Sequence, residues 1–570
     1  MGLIGKLFKW GLILLGILIV LNILGGLFGD KPVCGDNVCD PQEKNRNTCP
    51  TDCIEDINGG PDDPDDPDDP DDPDDPDDGT VVIPPIPGKD SEEIIIGIEY
   101  MVEGIGEGYE GIGIPAAKPL PESYAWCKMQ SDLDKPINWN FIDKYVKELQ
   151  GVGFTHIVLG LRSAEPKCLS FDGVNSAIGN HGIKPGREDD YQNWIRTMVE
   201  RYDMDGVNDM PGLKYPIMHY EIGVEFSSYQ PESTKEYLDK LELAYEAAHE
   251  ASDDVIIGHS AFLVIGPMRT DPKPGEYEEA FKDMVGTSEK TYEDIKMILD
   301  RPDLYDVINF HNLGWPYEIE TTVRWLNYEM DKRGYEKPMI ISDTVPTSFA
   351  GFGPATKCKG PGKLAELSPP AAEEDRCRLA DYFKDMIDKD QKTLDWWYHY
   401  HAMDTVIRVV IAAEQGIELI DTAFSGDLPI ATGAIFQAAA GNSAWGGMVD
   451  IEYIMFKPKV TGKRPAWYAL QQLQENIRGY LTVERIPTNE DLRLYRFAKS
   501  GIEFYVAWYG YKDLYLPEDE MPSKTFKIDL GRDIVEIHEM KTTSSVSKRT
   551  VNTNNGVLEI ELTPDPVYIY

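Results

Sequence analysis

Between residues 94 and 424 short apolar runs rich in β-branched residues alternate with amphipathic stretches of helical period, and this alternation restricts the fold more than any other feature. Strands are expected at IIIGIEYM (94–101), SYAWCKM (123–129), HIVLGL (156–161), PIMHYEIGV (216–224), DVIIGH (254–259), DVINFH (306–311), PMIISD (338–343) and IELIDTAF (417–424). Helices are expected between most of them, as at 140–153, 189–202, 234–252 and 404–416. Parallel strands need crossover connections, which helices supply, so the pattern predicts a (β/α)8 TIM barrel with its site at the strand C-termini. A doubly wound open sheet is the other fold with this alternation. Its dinucleotide fingerprint must open a helix, whereas GEGYEG (106–111) runs into GIGIPAAKPLP, which has no helical pattern, so a glycine-rich loop is expected there.

The rest of the chain divides around that barrel. Residues 1–30 carry Lys6 and Lys9 ahead of an apolar run from Trp10 to Phe28. Such a run spans roughly 28 Å as a helix, close to a bilayer core. A retained single-pass anchor is expected, with lysines inside and the bulk of the chain extracytoplasmic; a cleaved signal peptide is the competitor. Residues 31–57 form a cysteine-rich knob in which Cys34, Cys39, Cys49 and Cys53 can be joined in any of three pairings or, alternatively, hold zinc. Asp36, Asp40, Glu43 and Asp52 offer calcium ligands in the same knob. Residues 58–90 hold six copies of Pro-Asp-Asp and predict an extended, self-repelling spacer. The barrel is expected over 91–478, and 479–570, with period-two alternation between turns, as an antiparallel β-sandwich.

The formal charge of −44 argues against nucleic acid or an anionic lipid surface as main partner. Two of the strands end on carboxylates, Glu225 after YPIMHYEIGV and Asp343 in KPMIISDT. At the C-terminal rim of one barrel they face each other across a cleft, and two opposed carboxylates are the minimum equipment for cleaving a glycosidic bond.

Several segments resemble the clan A glycoside hydrolases, in the order that family has them. INWNFIDKYVKELQGVGFTHIVL resembles the approach to strand 3, RYDMDGVNDMPGLKYPIMHYEIGVE that to strand 4, YDVINFHNLGW strand 6, GYEKPMIISDT strand 7 and KPKVTGKRPAWYALQQL the helix after strand 8. The resemblance implies a (β/α)8 barrel acting on a poly- or oligosaccharide, with Glu225 as acid/base and Asp343 as nucleophile. The sequence carries no convincing signature of an organic cofactor, and a metal is expected, if anywhere, in the cysteine knob or the spacer. The family has Asn-Glu at the end of strand 4, where this chain has Val224 before Glu225, and Glu where this chain has the shorter Asp343. That shortening is expected to widen the gap between the carboxyls and to favour inversion, or to abolish turnover. Glu225 is expected to be the carboxyl whose pKa is raised. A non-catalytic carbohydrate-binding or structural cell-surface protein on the same barrel is the alternative. An esterase or peptidase is disfavoured, since neither G-x-S-x-G nor H-E-x-x-H occurs.

His311, at the end of strand 6, is placed to orient Asp343 or touch substrate. Glu221, deeper on strand 4, is expected in a structural ion pair. Trp315, Tyr317, Trp396, Trp397 and Trp445 fall in or near loops after strands 6, 7 and 8, where aromatic faces suit sugar rings, and Arg162 follows strand 3. Cys358 and Cys377 are placed to close the long loop after strand 7, and Cys127 and Cys168 to pin two rim loops.

Overall fold

The computed structural model describes residues 80–83, 91–164, 182–226, 232–264, 267–283, 290–345, 373–427, 445–455, 457–488 and 491–570. The expected anchor, cysteine knob and Pro-Asp-Asp repeats lie outside the described residues. Among the described residues no helix is long and apolar enough to cross a membrane. Cys127 and Cys377 are both disulfide-bonded; the partners expected for them, Cys168 and Cys358, lie outside the described residues.

The first strand, β1 (Thr80–Val82), stands apart from the barrel. The barrel itself is β2 (Ile95–Met101), β3 (Ala116–Pro119), β4 (His156–Leu161), β5 (His219–Glu225), β6 (Ile256–Leu263), β7 (Ile308–Asn312), β8 (Met339–Thr344) and β9 (Leu419–Thr422), parallel and adjacent in chain order. Pairing of Ile95 with Leu419, Ile96 with Ile420, Gly97 with Asp421 and Ile98 with Thr422 seals the ring. Every residue of β7 and β8 is buried, as it must be when helices cover one face and barrel contents the other. That double burial is why these strands read as continuous apolar runs. Local chemistry sets the helix ends: Ser233 with Glu236 and Thr291 with Asp294 form capping boxes, and Gly153, at φ 116°, supplies the left-handed residue that stops helix Asn140–Val152.

Two expected elements are corrected. The second barrel strand is Ala116–Pro119, and SYAWCKM instead makes a 3-10 turn (Pro121–Tyr124) and one α-helical turn (Trp126–Met129). This lays Trp126 against Trp194, ring centroids 5.8 Å apart and 15° from parallel. Aromatic content imitated a strand, while AAKP hid one: it is short, carries a lysine and ends on a residue without an N–H. The helix expected at 404–416 runs from Gln391 to Glu414 and therefore carries Trp396 and Trp397, which are not loop residues. A hairpin that the sequence reading did not foresee, β10 (Val449–Ile454) with β11 (Lys457–Lys463), follows β9.

The C-terminal β-domain has strands β12 (Thr482–Arg485), β13 (Leu492–Lys499), β14 (Ile502–Tyr509), β15 (Lys524–Asp529), β16 (Ile534–Glu539), β17 (Lys548–Asn552), β18 (Val557–Leu562) and β19 (Val567–Ile569). Six of them form a sheet in the order β12-β13-β14-β19-β16-β17, and β15 and β18 form a second sheet with β1. Leu492, Leu494, Val535 and Ile537 of the larger sheet share one core with Phe526, Ile528, Leu558 and Ile560 of the smaller. The expected sandwich is present, with one difference: β1 pairs parallel with β15, Thr80 with Lys527 through Val82 with Asp529. Residues read as the end of the spacer thus contribute a strand, and Val81 and Ile83 pack on the sandwich core. Glu320 of the barrel helix Glu318–Arg333 ties the two units, accepting from Arg493 at 2.8 Å and from Arg485 at 3.4 Å.

Because Val81 is half-buried on the sandwich core and far from the barrel interior, Val81→Asp should destabilise the β-domain by about 1–2 kcal/mol through lost apolar burial. Urea unfolding followed by fluorescence should show a lower midpoint, and an unchanged midpoint would mean that β1 adds nothing to the sandwich.

Candidate active site

The site is built on three strand ends. β5 reaches the rim at Glu225 after a register shift between Ile222 and Glu225, where Gly223 takes φ 107°, a conformation that a side chain would strain. The buried Arg162 guanidinium donates to the Gly223 carbonyl and so pins the bend from β4's side. A second shift, between Phe310 and His311, sets His311 of β7 beside Asp343 of β8. Both irregularities fall where the barrel hands over from packing to chemistry, and each re-aims one side chain.

Glu225, His311 and Asp343 meet there. His311 Nδ1 lies 2.9 Å from Glu225 Oε1, and its Nε2 lies 3.1 Å from Ser342 Oγ. One donor atom from each of the three residues lies within 4.8 Å of the other two. All three are buried but not sealed, at 7%, 8% and 7% exposure in the order Glu225, His311, Asp343. Asp343 Oδ1 is buried with no hydrogen-bond partner. Burial pushes the Asp343 carboxyl up to about 6, helped by the negative charge of Glu225 and opposed by His311 and Lys118. The sequence reading did not foresee that Asp343 is raised. One oxygen of each carboxyl lies within 4.8 Å of the other, a closeness that suits the ~5–5.5 Å spacing of retaining enzymes better than the ~6.5–9.5 Å of inverting ones.

Beneath this trio the barrel holds a buried charge cluster that the sequence reading missed apart from Glu221. Lys118 of β3 pairs with Glu221 of β5 at 2.7 Å and Glu99 of β2 at 3.3 Å, and donates to the Ser342 carbonyl of β8 at 2.9 Å. Burial would discharge this ammonium, but Glu221 and Glu99 outweigh it and hold it protonated. Burial would likewise raise Glu221; Lys118 reverses this and keeps Glu221 below the ordinary carboxylate range, as the expected ion pair requires. One cation does not satisfy three carboxyls. Glu99 and Asp421 are both pushed well above the usual range, by burial first, with the opposing charge of Lys118 insufficient. Neither oxygen of Asp421 has a hydrogen-bond partner. Gly97 makes room for it, since a Cβ there would stand 2.0 Å from Asp421 Oδ1.

Arg408, from helix Gln391–Glu414, is a second buried cation that sequence did not flag. It donates to the Asn312 carbonyl at 3.1 Å, to Thr344 Oγ1 at 3.0 Å and to the Gly314 carbonyl at 2.6 Å, and pairs with Asp404. It therefore clamps the residues directly after His311 and Asp343. A charged residue in the otherwise apolar run TVIRVVIAA was the available signal.

The remaining candidates are placed as follows. Arg162 serves the backbone of β5 and does not reach into the trio through that bond. Tyr317 faces the β-domain: its hydroxyl accepts from Trp508 Nε1 at 3.0 Å and the Arg493 guanidinium lies 4.3 Å over its ring. Trp445 is buried, and its carbonyl accepts from Trp397 Nε1 at 3.1 Å, so both are packing residues rather than sugar platforms. Trp315 is half-buried and stacks on Tyr317 at 6.4 Å.

No protein-family model matches the sequence, and no curated protein resembles it significantly. Solved structures do. A glucosidase from Croceicoccus marinus is 10% identical, covering 86% of this chain and 98% of that one, with a TM-score of 0.51. A family 39 glycoside hydrolase from the gut symbiont Bacteroides cellulosilyticus WH2 is 12% identical, covering 84% and 82%, at 0.51. A family 51 alpha-L-arabinofuranosidase from Bifidobacterium longum is 12% identical, covering 86% and 99%, at 0.50. The chain thus has the barrel-plus-β-domain fold found in these glycoside hydrolases.

The raised Asp343 has a consequence for stability whose sign is fixed. Its carboxyl binds its proton more tightly folded (about 6) than unfolded (3.8), so the folded state loses stability as pH rises between those values and carries the full cost above about 6. Asp343→Asn removes that cost. The variant should be more stable than the parent by about 2–3 kcal/mol at pH 7.5, at ~1.4 kcal/mol per pH unit, and the gap should close near pH 4. Calorimetry at the two pH values checks this; a variant destabilised at pH 7.5 would contradict it.

Proposed function

We propose that this chain is a membrane-anchored, extracytoplasmic glycoside hydrolase acting on a poly- or oligosaccharide through Glu225 and Asp343. The observation that carries the reading is the approach of the two carboxyls within 4.8 Å, with His311 hydrogen-bonded to Glu225 and paired across the strands with Asp343, at the C-terminal end of a closed parallel barrel. The shared fold with the glucosidase and the family 39 hydrolase supports the same class of chemistry. The N-terminal apolar run and the disulfide-bonded Cys127 and Cys377 support export.

The short separation suits a double displacement with retention. Ionised Asp343 attacks the anomeric carbon as Glu225 delivers its proton to the departing glycosidic oxygen, which leaves as an alcohol. A glycosyl ester on Asp343 results. Glu225, now a carboxylate, takes a proton from water, and the hydroxide attacks the anomeric carbon, releasing the sugar and the Asp343 carboxylate. His311 follows this cycle. It donates Nδ1–H to Glu225 when the latter is ionised, and accepts from it through Nδ1 when it is protonated, with Nε2–H then turned to Ser342 Oγ. Asp343 must be ionised to attack and has no hydrogen bond on Oδ1 to blunt it, which suits a nucleophile.

A binding protein without turnover is the second reading. It draws on Val224, which lacks the amide that would hold the sugar 2-hydroxyl in the resembling family.

Glu225→Gln should lower kcat for reducing-sugar release by about 10²–10⁴-fold on substrates with poor leaving groups. The acidic limb of kcat/KM in the parent should titrate near 6, where Asp343 ionises. Release that is unaffected by Glu225→Gln would eliminate the catalytic reading, and sugar affinity that persists without any release would establish the second.

A further inference from the structure

We infer that Glu225, His311 and Asp343 also form a binding site for a divalent transition-metal ion of the Zn²⁺, Co²⁺ or Mn²⁺ kind, whose occupancy excludes a sugar from the barrel mouth. Three observations carry this. The donor set is one imidazole nitrogen and two carboxylates, a combination that such ions accept, and the three donor atoms already lie within 4.8 Å of one another.

His311 is prepared as a ligand. Its Nε2 has its own partner in Ser342 Oγ at 3.1 Å, the outer contact that fixes the tautomer of metal-binding histidines, and its Nδ1 faces Glu225 Oε1 at 2.9 Å, so an ion between them would exchange that hydrogen bond for two coordinate bonds. Asp343 is 93% buried, by its 7% exposure, yet its Oδ1 has no hydrogen-bond partner, and one of its carboxylate oxygens lies within 4.8 Å of a histidine nitrogen and a second carboxylate oxygen. Donors around a tetrahedral ion stand roughly 3–3.5 Å apart. His311 Nδ1 and Glu225 Oε1, at 2.9 Å, stand slightly closer than that, and all three donors lie within 4.8 Å, so small side-chain adjustments bring them to an ion.

The ion would sit where the anomeric carbon must lie, between the two carboxyls, which makes metal and sugar mutually exclusive. Metal binding itself does not rest on the hydrolase reading; only the competition with sugar does.

The test is titration of the chelator-treated full chain with CoCl₂, followed by visible absorption. One Co²⁺ per chain should give ligand-field bands that ZnCl₂ abolishes. Ser342→Ala should weaken binding about 10-fold or more, as loss of an outer partner does, and His311→Ala and Asp343→Asn should remove the bands. Exposed Asp205, in the acidic loop it shares with half-buried Asp203 and Asp209, serves as the control: Asp205→Asn should leave them unchanged.

If the His311 variant does not fold, the proton spectrum of the Co²⁺ form of the unmodified chain decides: a coordinated histidine gives a strongly shifted exchangeable imidazole N–H. Absence of bands, bands that survive in both His311→Ala and Asp343→Asn, bands lost in Asp205→Asn, or no shifted N–H would each overturn the inference. Inhibition of sugar release by ZnCl₂ is a separate readout, so a chain that binds Co²⁺ but releases no sugar would refute the hydrolase reading alone.

Discussion

One ammonium group governs how much negative charge the interior of this barrel can carry. Lys118 reaches from β3 to Glu99 on β2, Glu221 on β5 and the Ser342 carbonyl on β8, so a single side chain spans much of the ring. It fully compensates one carboxylate, and Glu221 is that one. Glu99 and Asp421 keep their protons because burial is not offset, and the same shortage of positive charge helps hold Asp343 near 6. Burying a charge without a partner is costly, so the protonation pattern of the whole floor follows from where this one cation sits. The rim chemistry rests on it through Ser342, whose carbonyl accepts a hydrogen bond from the Lys118 ammonium and whose hydroxyl meets His311.

The second requirement is positional. Glu225 and Asp343 are far apart in sequence, and nothing local brings them within reach. Closure of the ring does so coarsely; the two register shifts, the Gly223 bend held by Arg162 and the Arg408 clamp on Asn312, Gly314 and Thr344 do so finely. Arg408 belongs to the helix preceding β9, so the geometry at the ends of β7 and β8 is set partly by an element outside the ring.

The barrel was legible because doubly buried parallel strands leave unbroken apolar runs, and Glu225, Asp343 and His311 were legible because they end such runs. Lys118 was not, since a lysine in a four-residue segment closed by Pro119 reads as a break in a strand. The strand assigned in its place, at 123–129, was aromatic because Trp126 packs on Trp194 outside the ring. Glu99 and Asp421 sit within strands that were read correctly, but their state depends on a partner whose proximity only folding creates. The same applies to Asp343: its rise comes from burial and is opposed by His311, and no local pattern encodes either. Tyr317 and Trp445 were misread as sugar platforms because an aromatic in a rim loop looks the same whether it faces a ligand, Trp508 of the β-domain, or the helix bearing Trp397.

The strand Thr80–Val82 gives the molecule a load path. Residues 61–78 precede it directly, and it is zipped to β15 before the chain enters the barrel at residue 95. Any tension reaching residue 80 from its N-terminal side would meet the β1–β15 hydrogen bonds before β2, whose Gly97 packs against Asp421 at the ring's seam.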